Sequence, residues 1–102
     1  MEIKVKTEGI TKTKTDRGYT LDFGNISRKS KAIIDVNISG VENLALASTC
    51  GCTVAQTDES GNTEIEYTRT AQQGTFAKTI TATYKQNGKE QKSEIKIKGN
   101  VN

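Results

Sequence analysis

The chain reads as an all-β sandwich, and three features of the sequence say so. Apolar residues recur at every second position in its longer segments. Glycine-centred turns, one of them Asn-Gly, separate those segments. Fifteen threonines with no proline and no tryptophan favour a pleated surface over a helix, because a β-branched side chain loses rotamer freedom against a helical turn.

The elements follow in order. Residues 3–5 form a short candidate strand. The segment 11–18, "TKTKTDRG", is either an edge strand whose charges discourage sheet-to-sheet aggregation or part of a mobile basic arm over residues 1–18. Residues 19–23 make the next strand. In "KAIIDVNIS", Ala32, Ile34, Val36 and Ile38 share one face, with Ile33, Asp35, Asn37 and Ser39 on the other, and this reads as the longest strand. Shorter candidates follow at 44–47, 53–56 and 63–68, separated by Gly40 and by the turn at 58–62. In "FAKTITATY", Phe76, Ile80, Ala82 and Tyr84 align with Lys78 as the odd member, opposite Thr79, Thr81 and Thr83. Asn87-Gly88 is the clearest hairpin signal, since both residues accept a positive φ, and it should join the last two strands. Ile95, Ile97 and Val101 close the series, alternating with Glu94, Lys96 and Lys98. About seven strands at this spacing describe an immunoglobulin-like antiparallel β-sandwich in a single domain over residues 1–102. Antibody-type domains pair distant cysteines across a buried tryptophan; neither feature is here, so the relation is architectural.

Ile, Val, Leu and Phe total 20 of 102 residues, which makes a thin core. The net charge of only +3 and the periodic apolar positions indicate a folded domain all the same. A chain of this size buries roughly 60–70% of the surface it exposes when unfolded. The mild basicity falls short of a dedicated nucleic-acid binder. Histidine is absent, which removes the usual general base and the commonest zinc ligand. The amino terminus lacks the apolar run of a signal peptide, so an exported form would need a leader upstream of Met1. No segment has the ~20 apolar residues that span a bilayer.

The only two cysteines, Cys50 and Cys52, flank Gly51 in "ASTCGCTVA". A redox couple needs a thiol of lowered pKa, and the nearest cation in sequence, Lys31, lies nineteen positions before Cys50. A metal site needs three or four ligands, which this chain supplies only across an oligomer interface. A staple needs Cα atoms about 4.4–6.8 Å apart, which i and i+2 satisfy where glycine lets the chain bend. The residues favour a structural cysteine pair, oxidised or as packed thiols, over redox or metal chemistry.

Arg28, Lys29 and Lys31 lie on a turn before the "KAIIDVNIS" strand and are the candidate contacts for an acidic partner or phosphate. Lys4, Lys6, Lys12, Lys14 and Arg17 crowd the first seventeen residues, and the alternative for both groups is a solvated edge or loop. Nucleic-acid readers interleave aromatics with such charge, and only Tyr19 and Phe23 are near. Glu64 and Glu66 share one face of a strand opposite Ile65 and Tyr67, so both glutamates should face water rather than form an acid–base pair. The sequence offers no catalytic residue, no metal site and no cofactor motif.

Four pieces in order, "DFG" at Asp22-Phe23-Gly24, "CGCT" at Cys50-Gly51-Cys52-Thr53, Gly74 to Thr79, and Gly99-Asn100-Val101, resemble a bacterial domain family of unknown function. That family is frequent in Bacteroidetes, with an immunoglobulin-like fold near the ASH and major-sperm-protein group. The family follows "CGCT" with proline and a Pro-Gly turn, where this chain has Val54-Ala55 and later Asp58-Glu59-Ser60-Gly61. The resemblance implies a β-sandwich interaction module and no enzyme. The expected function is a non-enzymatic structural protein. One setting is an auxiliary (decoration) protein of a phage virion, present in host cytoplasm during assembly and binding capsid or tail subunits. The other is an exported bacterial module of the periplasm or cell surface that binds an envelope protein. Neither requires a small-molecule substrate, nucleic acid or a membrane span, and an oligomer through an edge strand fits both.

Overall fold

Alternation carries over into nine strands among the described residues: β1 (Glu2–Val5), β2 (Thr11–Thr15), β3 (Gly18–Ile26), β4 (Ala32–Ser39), β5 (Glu42–Ser48), β6 (Thr53–Thr57), β7 (Asn62–Tyr67), β8 (Gly74–Gln86) and β9 (Lys89–Val101). The computed structural model describes residues 1–48 and 51–102, and no helix occurs among them. A four-stranded sheet in the order β1-β4-β7-β6 faces a five-stranded sheet in the order β2-β3-β9-β8-β5. The sequence spacing predicts about seven strands. Nine form because residues 2–5 and 11–15 each pair as strands of their own, β1 on β4 and β2 on β3.

Every strand pair is antiparallel except β3 with β9, which run parallel from Gly18↔Glu94 to Ile26↔Val101. Sequence alternation does not distinguish the two pairings, since both put side chains on alternate faces. The longest strands are β8 and β9, with 13 residues each, rather than β4 with 8. Their hairpin turns on Asn87 (φ 54°) and Gly88 (φ 75°) between Gln86 and Lys89, the two-residue turn whose twist matches that of the flanking strands.

The core lies between the sheets. Ile34, Val36 and Ile65 come from one sheet and Leu21, Ile80, Ile95 and Ile97 from the other, all wholly buried. Each such side chain contributes about 1.5–3 kcal/mol when removed from water. No buried side-chain nitrogen or oxygen among the described residues lacks a hydrogen-bond partner. The segment 11–18 is an edge strand, not an arm: all five residues of β2 are exposed, but the strand pairs with β3 from Thr11↔Asp22 to Thr15↔Gly18. Lys12 Nζ donates to the Ile3 carbonyl at 2.8 Å and lies 5.8 Å from the Tyr19 ring centroid, tying this edge to the other sheet.

Candidate functional site: the basic end of the sandwich

Strand direction gathers three segments at one end of the molecule: residues 27–31 after β3, 51–52 before β6 and 68–73 after β7. Backbone bonds lock them together. The Lys29 N–H donates to the Thr70 carbonyl at 2.9 Å, and Thr70 Oγ1 donates to the Ser30 carbonyl at 2.7 Å. The Thr68 N–H and Oγ1 both donate to the Cys52 carbonyl, at 2.7 and 3.0 Å. The Asn102 N–H donates to the Ile26 carbonyl at 2.9 Å. Ser30 N–H closes a turn on the Ser27 carbonyl at 3.1 Å, with Lys29 at φ 67° in the third position, where a type II turn requires positive φ.

Arg28, Lys29 and Lys31 are exposed on this clamp, as the sequence indicates. The fold adds Arg69, also exposed, from forty residues further along the chain. Sequence distance conceals it: its neighbours Thr68 and Thr70 are the residues that bond the other two connections. The three connections contain no aspartate or glutamate. Charge at the opposite end is mixed, with Asp16 and Arg17 in one turn, Asp58 and Glu59 in another, and Glu42 facing Lys85. Arg28, Lys29, Lys31 and Arg69 thus stand exposed at one end of the sandwich, toward which the β1–β2 connection also turns with Glu8.

Of the cysteine pair, Cys50 lies outside the described residues. Cys52 is wholly buried and disulfide-bonded rather than a free thiol. It sits beside Thr53, whose Cα is paired with that of Tyr67. Tyr67 stacks on Phe76 with ring centroids 3.8 Å apart and planes 5° from parallel. Phe76 meets Phe23 at 5.8 Å and 54°. Gly99 lies so close beneath that a Cβ there would stand 3.0 Å from the Phe76 ring and 3.1 Å from Phe23 Cβ. Three of the separated motif pieces, through Phe23, Phe76 and Gly99, therefore meet at one aromatic stack, and Thr53 of the fourth pairs in register with its Tyr67. Gly24 turns the chain there at φ 70°, its N–H held by Asp22 Oδ1 at 2.8 Å, where β3 bulges against β9. What these pieces share is packing.

The remaining polar cluster is a latch at the other end. Asn62 Oδ1 accepts from Lys6 Nζ at 2.6 Å and from Asn37 Nδ2 at 3.0 Å, and Asn62 Nδ2 donates to Asp58 Oδ2 at 3.2 Å. Asp58 Oδ1 accepts the N–H groups of Ser60 and Asn62, both at 2.9 Å. The bond from the Asn62 backbone, foremost, holds the Asp58 carboxyl below its ordinary value. Lys6, Asn37 and Asn62 carry no sequence motif, so only the pairing of β1, β4 and β7 reveals them. Glu64 is exposed and Glu66 half-buried, with Ile65 and Tyr67 turned inward as their alternation predicts. Among the described residues, no three or more Cys, Asp or Glu side chains group as ligands for a metal ion. No helix is long and apolar enough to cross a membrane. Comparison of the chain with protein-family models, with curated proteins and with solved structures finds no match in any of the three.

Proposed function

We propose that this protein is a non-enzymatic interaction module that docks through its basic end on an acidic protein surface, and that it serves as a small auxiliary protein on a phage particle. The observation that carries the docking reading is the set of four exposed cations, Arg28, Lys29, Lys31 and Arg69, built on three hydrogen-bonded connections with no carboxylate among them. Opposite charge steers association and fixes orientation more than it adds affinity. An acidic capsid or tail subunit is a partner of matching chemistry. The threonine-lined outer face of β8, with Thr79, Thr81 and Thr83 half-exposed, suits a particle exterior, and the setting itself is an analogy of architecture.

The bound state of Cys52 favours a second setting. A disulfide persists in oxidising compartments, which fits an exported bacterial module with an envelope partner. One experiment addresses both settings: quantify the protein in purified particles and in periplasmic extracts of the producing cell. Stoichiometric amounts in particles support the virion reading, and absence there with periplasmic recovery replaces it with the second. Docking through the basic end is tested separately. Reversing Arg28 and Arg69 to glutamate should abolish capture of the acidic subunit, and wild-type capture should weaken steeply from 50 to 200 mM salt. Salt-insensitive capture would refute it.

A further inference from the structure

The β8–β9 hairpin runs past the core that holds it. Tyr84, 6% exposed, is the last buried side chain before its turn, and the Tyr84 hydroxyl lies 2.6 Å from Ser93 Oγ. From Lys85 to Lys92 no side chain is buried. β9 gains a second neighbour only from Glu94, which faces Gly18 of β3, and β8 beyond Lys85 pairs with β9 alone. A segment with exposed backbone bonds and no buried apolar contacts opens at little cost, without unfolding of the domain. The tip of this overhang is Asn87-Gly88.

That dipeptide differs from the other asparagine sites. A main-chain amide nitrogen attacks the side-chain carbonyl of the asparagine before it only where its own residue leaves room, and glycine has no Cβ to obstruct the approach. Asn25, Asn37, Asn43, Asn62 and Asn100 each precede isoleucine, leucine, threonine or valine. The amides of Asn37, Asn62 and Asn100 are also held by neighbouring residues. The Asn87 side chain is exposed and makes no hydrogen bond with another described residue. The closed turn withholds the reaction. With φ of 54° and 75° it is of type I′, which sets ψ of its first residue to about +30°, an angle that keeps the Gly88 nitrogen from closing a five-membered ring on Asn87 Cγ. Opening of the tip removes that constraint.

We propose that Asn87 is a site of spontaneous covalent modification, reached from the folded state by fraying of the hairpin tip. The Gly88 nitrogen forms a bond to Asn87 Cγ, and the side-chain amide leaves as ammonia, carrying the proton that the Gly88 nitrogen gave up. Water then opens the succinimide ring. Cleavage at Cγ yields aspartate, and cleavage at the main-chain carbonyl yields isoaspartate. Each product carries a new negative charge, and water is the only reactant consumed. Isoaspartate routes the backbone through the β-carbon, so the two-residue loop gains an atom, and loop length is what fixes register in a hairpin. The pairs Gln86↔Lys89 and Lys85↔Glu90 are then lost, while those from Tyr84 inward remain. The inference is independent of the virion and envelope settings and of the basic end, which lies on other residues.

Incubation of the full chain at mildly alkaline pH tests it. Peptide mapping by mass spectrometry reads the change from amide to acid, and labelling by an isoaspartyl methyltransferase reads the isomer. The expected result is conversion at Asn87 about tenfold or more faster than at any other asparagine, since glycine alone leaves the attacking nitrogen open. Ile65→Val, in the opposite sheet, raises the globally unfolded population about 2- to 10-fold, and should change the Asn87 rate by less than about 1.5-fold. In urea the rate should rise, because the turn no longer restrains the dipeptide. Amide exchange in the isoaspartate form should quicken at Gln86, Lys89 and Glu90 and stay slow at Ile80 and Ile95. An Asn87 that stays intact in the folded chain while converting in urea overturns the proposal. So does a rate that follows the unfolded population in Ile65→Val, or faster conversion at another asparagine.

Discussion

Gly99→Ala tests whether the scattered motif pieces serve packing, because two effects of opposite sign meet at that residue. Removing glycine from a strand interior ordinarily gains about 0.5–1 kcal/mol, by reducing the freedom of the unfolded chain. Against this, the new methyl would lie 3.0 Å from Phe76 Cε1 and Cζ and 3.1 Å from Phe23 Cβ. Phe76 has little room to retreat, with Tyr67 stacked at 3.8 Å on its face and the ring only 8% exposed. Forcing a methyl into such a site costs about 1–3 kcal/mol. The net expectation is a loss of up to about 2.5 kcal/mol, with a fall in Tm of about 4–8 °C for each kcal/mol in a domain of this size. Urea unfolding with an unchanged m value gives the measurement. Phe76→Leu supplies the control: it removes ring atoms from above Gly99, so the penalty for Gly99→Ala should shrink by at least 1 kcal/mol in that background. Stabilisation by Gly99→Ala alone, or a penalty identical in both backgrounds, refutes the packing account.

Gly61→Ala and Gly40→Ala form a second matched pair, with φ of +83° and +76°. Both variants meet the left-handed backbone penalty of about 1–2 kcal/mol, but only at Gly61 would the Cβ stand 2.0 Å from the Ile38 carbonyl oxygen. The Gly61 carbonyl also accepts the Ile38 N–H at 2.8 Å, so Gly61→Ala should cost at least 1 kcal/mol more than Gly40→Ala by urea unfolding. Lys29→Gly relieves a positive φ of 67° on a residue with a Cβ, and should raise stability by about 1 kcal/mol or less while removing one cation from the basic end. The Asp58 carboxyl, depressed by its bonds in the turn, contributes stability that is present above the ordinary aspartate value of 3.8 and is lost as pH falls through its lower folded value. Amide exchange at Ser60 and Asn62 should therefore quicken, relative to the intrinsic rates, on acidification below that value, and Asp58→Asn should remove the dependence.

The strands that face the core were legible because one face is dry and the other wet. Ala32, Ile34, Val36 and Ile38 lie 2% exposed or less, in the period-two pattern their spacing predicts. The Asn87-Gly88 turn was legible because its chemistry is local. β2 was ambiguous because all five of its side chains are exposed, and a strand buried on neither face leaves no alternation to read. The parallel β3–β9 pair was hidden for a different reason: it joins residues about seventy-five positions apart, and alternation records which face a residue takes but not which neighbour it meets. β8 and β9 are longer than their apolar positions mark, with outer ends at Lys85, Lys89 and Glu90 that extend beyond them.

The same logic explains what the sequence hid at the basic end. Arg28, Lys29 and Lys31 stand together in the chain, and a local cluster announces itself. Arg69 stands alone between two threonines, and nothing near it in sequence marks it out. Its place depends on Thr70 spanning two loops, from the Lys29 N–H to the Ser30 carbonyl. Thr70 is 8% exposed, a buried polar residue in a connection that otherwise reads as loop. A buried hydroxyl must find a partner, and the available ones are the carbonyls of another turn. The threonine therefore fixes where the arginine is presented, although it carries no charge itself. Thr68 does the same from the other side by closing on the Cys52 carbonyl. Two small hydroxyls thus turn three independent loops into one platform, and that rigidity separates a surface that can orient a partner from a set of solvated lysines.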